Sequence, residues 1–246
     1  MERLFFELFE PLPRQGPGSA ACTRRAFDLC AGLPDAPRIL DLGCGSGAQT
    51  VDLARRSGGT VLAIDSHAPL VERARARAQE AGLSDRVEVR VADMTDLGLP
   101  PHGFDLVWSE GALYNLGLRV ALPLCAEQLR PGGYLAFTDA VWRTDDPPAD
   151  VRAAFAAEYD TMGHAHDVLR LLEALGWTVV DHFDLPDAAW WDDFYTPMEA
   201  RIAELRTMHV NDPEALATLD ALAKEPQMHR ESARHYGYTF FIARLP

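Results

Sequence analysis

Three stretches of this chain bring together residue types that could do chemistry. Asp41-Leu42-Gly43-Cys44-Gly45-Ser46-Gly47 sets a carboxylate before alternating glycines; Asp65 closes the apolar run Val61-Leu62-Ala63-Ile64, and Asp93 lies in Ala92-Asp93-Met94. Glycines let a backbone turn sharply and approach a ligand that a side chain would hold off. A helix opening behind such a turn offers unpaired N–H groups to an anion. Gly43, Gly45 and Ala48 also satisfy the dinucleotide fingerprint, so the turn alone suits a nicotinamide enzyme as well as one using a nucleoside cofactor. The acids separate the two. Asp41 stands where a pyrophosphate would be repelled and an ammonium attracted. Asp65 can accept both hydroxyls of a ribose, and Asp93 can accept a hydrogen bond from an exocyclic amine.

Residues in these positions need a sheet to align them. Apolar runs at 38–42, 60–65, 87–92, 104–108, 134–141, 177–183 and 236–243 read as strands, and the stretches between the first five alternate with them as helices. That alternation predicts βαβ units and an α/β, Rossmann-like, doubly wound parallel sheet. Ser66 is placed to cap the helix that carries Pro69, and Ser19 the helix that carries Cys22. Thr196, Pro197 and Glu199 resemble a capping box with proline at the first helical position. The chain divides as one domain over 1–246: an N-terminal cap segment over 1–35, a core over 36–185, a helical lid insertion over 186–235 and a final strand over 236–246. Fifty residues between the last two strands far exceed an ordinary connection. The insertion is expected over the ligand-binding edge, with the Arg14–Gly18 stretch opposite it.

Composition narrows the partners. The chain has 246 residues, 48% of them hydrophobic, and a formal net charge of −14. Such acidity disfavours nucleic acid as a partner, because phosphate binding rests on Lys and Arg. Cys22, Cys30, Cys44 and Cys125 form no Cys-x-x-Cys pair. The apolar stretch Met1–Glu10 is broken by acids and reads as neither signal peptide nor membrane span, so a cytoplasmic location is expected.

The pattern over about residues 36–142, and more loosely the whole chain, resembles the class I S-adenosylmethionine-dependent methyltransferases. Asp41 to Gly47 matches their first motif, Asp65 and Asp93 fall at their ribose and adenine positions, and Phe104–Ser109 and Leu129–Gly133 are similar to their fourth strand and the turn before the fifth. Arg14–Gly18 and Ser109–Asn115 look like strings from a bacterial branch of that family. The resemblance implies a seven-stranded sheet with the last strand antiparallel, S-adenosyl-L-methionine as cofactor, and methyl transfer to a small molecule. It implies cofactor contacts from Arg14, Gln15, Gly18, Asp41, Gly43, Gly45, Gly47, Asp65, Ser66, Asp93, Met94, Ser109 and Glu110. A nicotinamide-dependent oxidoreductase using Gly43, Gly45, Ala48 and Asp65, and a binding protein without catalysis, stand as alternatives.

Glu110 and Tyr114 follow the fourth strand and are the candidate catalytic groups; Glu110 could equally cap a helix near Leu116. His164, Trp190, Trp191 and Tyr195 are the candidate substrate contacts, since aromatic density in a cover suits an apolar or cationic molecule. His164 and His166 lack a third ligand at fixed spacing, so no metal is expected. Composition and motif leave the oligomeric state and the acceptor atom open.

Overall fold

A computed structural model describes residues 2–246; Met1, at the head of the N-terminal segment, lies outside the described residues. Seven strands form one sheet: β1 Arg38–Leu42, β2 Thr60–Asp65, β3 Val87–Val91, β4 Phe104–Glu110, β5 Leu129–Trp142, β6 Thr178–Asp184 and β7 Tyr236–Arg244. Their order is β3-β2-β1-β4-β5-β7-β6. The first five pair in parallel and β7 runs antiparallel between β5 and β6. β1 is covered on both faces, which is why Ile39-Leu40-Asp41-Leu42 carries almost no exposed surface.

Helices α2 Ala20–Leu29, α3 Ala48–Ser57 and α4 Ala68–Glu80 cover one face, and α5 Leu118–Gln128 and α7 Ala165–Ala174 the other. Ser19 caps α2, its hydroxyl accepting from the Cys22 N–H. Two local expectations are corrected. His67, not Ser66, precedes α4, because Asp65 Oδ1 takes the His67 N–H and leaves Ser66 in the turn. Thr196 does not cap the helix it opens: it is already the first helical residue, and a π-helical turn over Trp191–Tyr195 runs into it from Ala188–Trp190, here α8.

The remaining elements form a third core at the carboxyl end of β5 and the amino end of β7. The N-terminal helix α1 Glu2–Phe9, helix α6 Ala149–Glu158 and the insertion helices α9 Thr196–Met208, α10 Pro213–Leu222 and α11 Lys224–Ser232 contribute to it. Leu8, Phe9 and Leu12 pack there with Phe194, Met198 and Ile202. The N-terminal segment and the insertion are therefore packed against each other, not opposed. Two backbone bonds stitch them: Arg14 N–H to Asp193 O at 3.3 Å and Gly18 N–H to Ala189 O at 2.9 Å. Apolar residues at 4, 8, 9 and 12 supply the attraction.

Candidate active site

A cavity of about 450 Å³ opens at the carboxyl ends of β1, β2, β3 and β4. In an open α/β sheet this edge is where ligands bind. Its floor is the glycine turn. Gly43 and Gly45 adopt φ of +69° and +54°, and a Cβ on Gly45 would stand 2.7 Å from Gln15 Oε1. Gly43 is more tightly placed: its Cβ would fall 2.3 Å from that of Ala112. The two glycines serve a close approach of backbone to backbone and to the cavity.

The N–H groups of this turn are all taken by the protein. Gly43 and Cys44 donate to Ile64 O, Gly45 to Asp65 Oδ2 at 2.9 Å, Ser46 to Gln15 Oε1 at 2.9 Å and Gly47 to Cys44 O. No donor of the five is left for a phosphate, so this turn lacks what a dinucleotide needs from it. Asp65 is at the cavity wall, where its two oxygens hold the Gly45 and His67 N–H groups. Asp93 stands exposed at the far wall, and donors from the Thr95 backbone and hydroxyl hold its pKa below the usual carboxylate range. Met94, Leu70 and Ala112 provide apolar surface between them, suited to a flat base.

Across the cavity, Arg14 donates to Glu110 Oε2 at 2.8 Å. Thr23 Oγ1 and Trp108 Nε1 both donate to Glu110 Oε1, at 2.7 and 3.0 Å. Both Glu110 oxygens are thus engaged by side chains, and it caps no helix. The structure brings Arg14, Gln15, Gly43, Gly45, Asp65, Ser66, Asp93, Met94 and Glu110 to this one cavity.

Other expected residues stand elsewhere. Asp41 is fully buried and does not reach the cavity; its oxygens accept from Thr50 Oγ1 at 2.6 Å and Gln49 Nε2 at 3.4 Å. Burial pushes its pKa up to about 7, Thr50 pulling the other way. It braces Gln49, which does line the cavity. Ser109 is buried with its hydroxyl on Leu42 O. Gly47 packs against Ala74, and Gly18 lies under the Arg14–Glu110 pair. Trp190 is core, stacked on His229 at 4.2 Å, and Tyr195 donates to Glu225 at 3.0 Å. Trp191 lies partly exposed beneath the Arg230 guanidinium. His164 sits at the start of α7, its Nδ1 2.9 Å from Trp142 O. Tyr114 lies outside the cavity in a separate group with Tyr159. Each of these side chains is engaged by another element of the fold.

Gln49, Cys44 and Asn115 line the cavity without having been singled out. Gln49 carries the one available signal, a polar residue in the first turn of the helix behind the glycines. Among the described residues no helix is long and apolar enough to cross a membrane, and no three His, Cys, Asp or Glu side chains converge as a metal site.

Residues 39–133 match a family model described as a methyltransferase domain. The chain is 37% identical over 121 residues to 27-O-demethylrifamycin SV methyltransferase of Amycolatopsis mediterranei, covering 48% of this chain and 44% of that one. It is 30% identical over 183 residues to a methyltransferase of Streptomyces halstedii, covering 72% and 64%. The chain thus spans about half to two thirds of the length of these two relatives. Among solved structures it superposes on a methyltransferase of Geobacter sulfurreducens determined with S-adenosyl-L-homocysteine, with a TM-score of 0.84, 24% identity and coverage of 100% and 99%.

Proposed function

We propose that this chain is a class I S-adenosylmethionine-dependent methyltransferase, and that it transfers a methyl group from that donor to a small-molecule acceptor by in-line displacement. The observation that carries the reading is the glycine turn itself: its N–H groups are spent on the protein while Asp65 stands beside it at the end of β2. A nucleoside whose attached chain carries positive charge fits this turn and a pyrophosphate does not.

The cavity meets the donor's requirements group by group. A Cβ at Gly45 would displace the Gln15 amide, and both residues line the cavity. Asp65 has outer lone pairs for the ribose hydroxyls, and Asp93 retains Oδ2 for the base amine. Arg14 faces the donor's carboxylate, with Gln15 and Gln49 amides nearby. Three acids against one arginine among these residues favour a ligand with cationic centres. When bound, the donor supplies the electrophile, a methyl made reactive by a neighbouring sulfonium. The protein's own work is then to hold and orient the nucleophile and exclude water.

Exclusion falls to the joined N-terminal segment and insertion, which we read as a lid over the donor and acceptor. Thermal-shift and calorimetric titration with S-adenosyl-L-methionine, S-adenosyl-L-homocysteine and nicotinamide dinucleotides tests the reading. Stabilisation by the first two alone is expected; stabilisation by a dinucleotide alone would replace it with the oxidoreductase.

A further inference from the structure

Beneath the insertion, next to the cavity but outside it, lies a group of acids and tyrosines that the donor does not use. Asp139 on β5 is 1% exposed; Tyr159 donates to its Oδ2 at 2.8 Å, and its Oδ1 has no hydrogen-bond partner among the described residues. Glu225 on α11 accepts from Tyr195 at 3.0 Å. Tyr114 stacks obliquely on Tyr159, with ring centroids 5.6 Å apart. Tyr238 on β7 lies among these groups, and its hydroxyl makes no hydrogen bond to the described residues. Burial raises its pKa, as do Tyr114, Asp139, Glu225 and Tyr159 around it. Tyr114, Tyr238 and Glu225 keep accessible surface despite this enclosure, so they border a space.

That space adjoins the donor cavity. The Tyr238 ring would be 3.3 Å from a Cβ on Gly111, and Gly111 lines the cavity. A molecule held against Tyr238 therefore sits beside the end of β4, where the transferable methyl is expected.

The charge balance of the group is unusual. No Lys, Arg or His of the described residues pairs with Asp139 or Glu225, whereas Glu110 a short way off has Arg14. Burial pushes both carboxyls up to about 7, so each is poised to ionise once a cation arrives. The Tyr159 and Tyr195 hydroxyls are already donated to these carboxyls and are not free to receive an anion. Tyrosine ring faces attract cations. An anionic acceptor would meet two acids and few donors.

We propose that this space is the acceptor site and that it takes an amine, a small organic molecule that docks as an ammonium supplying the counter-charge missing at Asp139 and Glu225, then passes its proton to one of these carboxylates so that the freed lone pair forms the N–C bond as the S–C bond to the donor breaks. This rests on the methyltransferase reading, which it deepens by naming the acceptor class. The test is calorimetric titration of the full chain, with and without saturating S-adenosyl-L-homocysteine. The probes are methylated ammonium ions up to tetramethylammonium, and 2-phenylethylamine, each against an alcohol and a carboxylate of matching size. Amines should bind at least about tenfold tighter than their controls, and Asp139→Asn should remove about that factor for amines while leaving S-adenosyl-L-homocysteine affinity unchanged. Tyr238→Phe serves as a second variant and should weaken amines less, since it keeps the ring face. Amines that bind no tighter than matched alcohols or carboxylates overturn the proposal, as does amine binding indifferent to Asp139→Asn. Amine binding that persists in a protein unable to bind S-adenosyl-L-homocysteine keeps the amine site and overturns the methyltransferase reading instead.

Discussion

Arg14 and Glu110, 96 positions apart, form an ion pair at 2.8 Å whose side chains are only 7% and 4% exposed. It joins the N-terminal segment to the end of β4. Removing one partner of a buried pair leaves the other charged and poorly solvated, so Arg14→Met should cost about 3 kcal/mol in urea denaturation. The double change Arg14→Met with Glu110→Gln should recover part of that loss, because Gln leaves no stranded charge. A single variant as stable as the parent would mean that the pair is not formed in solution.

Asp65→Ala should weaken S-adenosyl-L-homocysteine binding about tenfold to a hundredfold by calorimetry, the equivalent of losing charge-assisted hydrogen bonds of about 1.5–3 kcal/mol. The Gly45 and His67 N–H groups would lose their acceptor at the same time. Unchanged affinity would take Asp65 out of the binding site.

Two glycines of one turn should respond differently. A Cβ at Gly45 meets only the end of the flexible Gln15 side chain, so Gly45→Ala should fold and bind cofactor poorly. At Gly47, with φ of +79°, the Cβ would come within 2.8 Å of the Ala74 Cβ on α4. Gly47→Ala should therefore lower thermal stability by about 1–3 kcal/mol. Circular-dichroism melts beside cofactor titrations separate the two effects.

Acid groups raised by burial give the fold a distinct pH profile. Asp41 ionises near an ordinary 3.8 in the unfolded chain and at about 7 in the folded one. The native state thus holds a proton that the unfolded chain has released, and stability falls as pH rises from about 4 to about 7, then levels off. Asp139 and Glu225 act in the same direction over the same window. Denaturation at pH 5 and pH 8 should show the loss, and Asp41→Asn should reduce it by more than about 1 kcal/mol.

Hydrogen exchange tests the lid. Saturation with S-adenosyl-L-homocysteine should raise protection across 10–18 and 188–195 together, because backbone bonds join these segments. Protection confined to the glycine turn would make the insertion a scaffold.

The sheet was legible because its strands declare themselves as short apolar runs and its glycines as turns, and so were the cavity residues fixed by a strand end, Asp65, Asp93 and Glu110. What the sequence hides is any side chain claimed by a neighbouring element of the fold. Asp41 was read as facing ligand, since nothing local announces Thr50 and Gln49 as its acquired donors. Trp190 was read as a substrate contact, but His229, 39 positions on, covers it. Aromatic density marks a packed core as readily as a binding face. The Asp139–Tyr159 pair went unnoticed because neither residue belongs to a motif, and only the return of α6 onto β5 brings them together.

The backbone seam from Arg14 to Asp193 and from Gly18 to Ala189 bears on the order of events in turnover. With the joined segments acting as the proposed lid, a spent donor would leave as the Arg14–Gly18 stretch lifts, and lifting it would pull on Ala189 and Asp193 of the insertion. Emptying one compartment therefore loosens the other. Methylated product and demethylated donor would depart in one opening, and a fresh pair would have to be captured before the next closure. For such an enzyme, the rate at which that seam parts sets the ceiling on turnover, however fast the transfer itself.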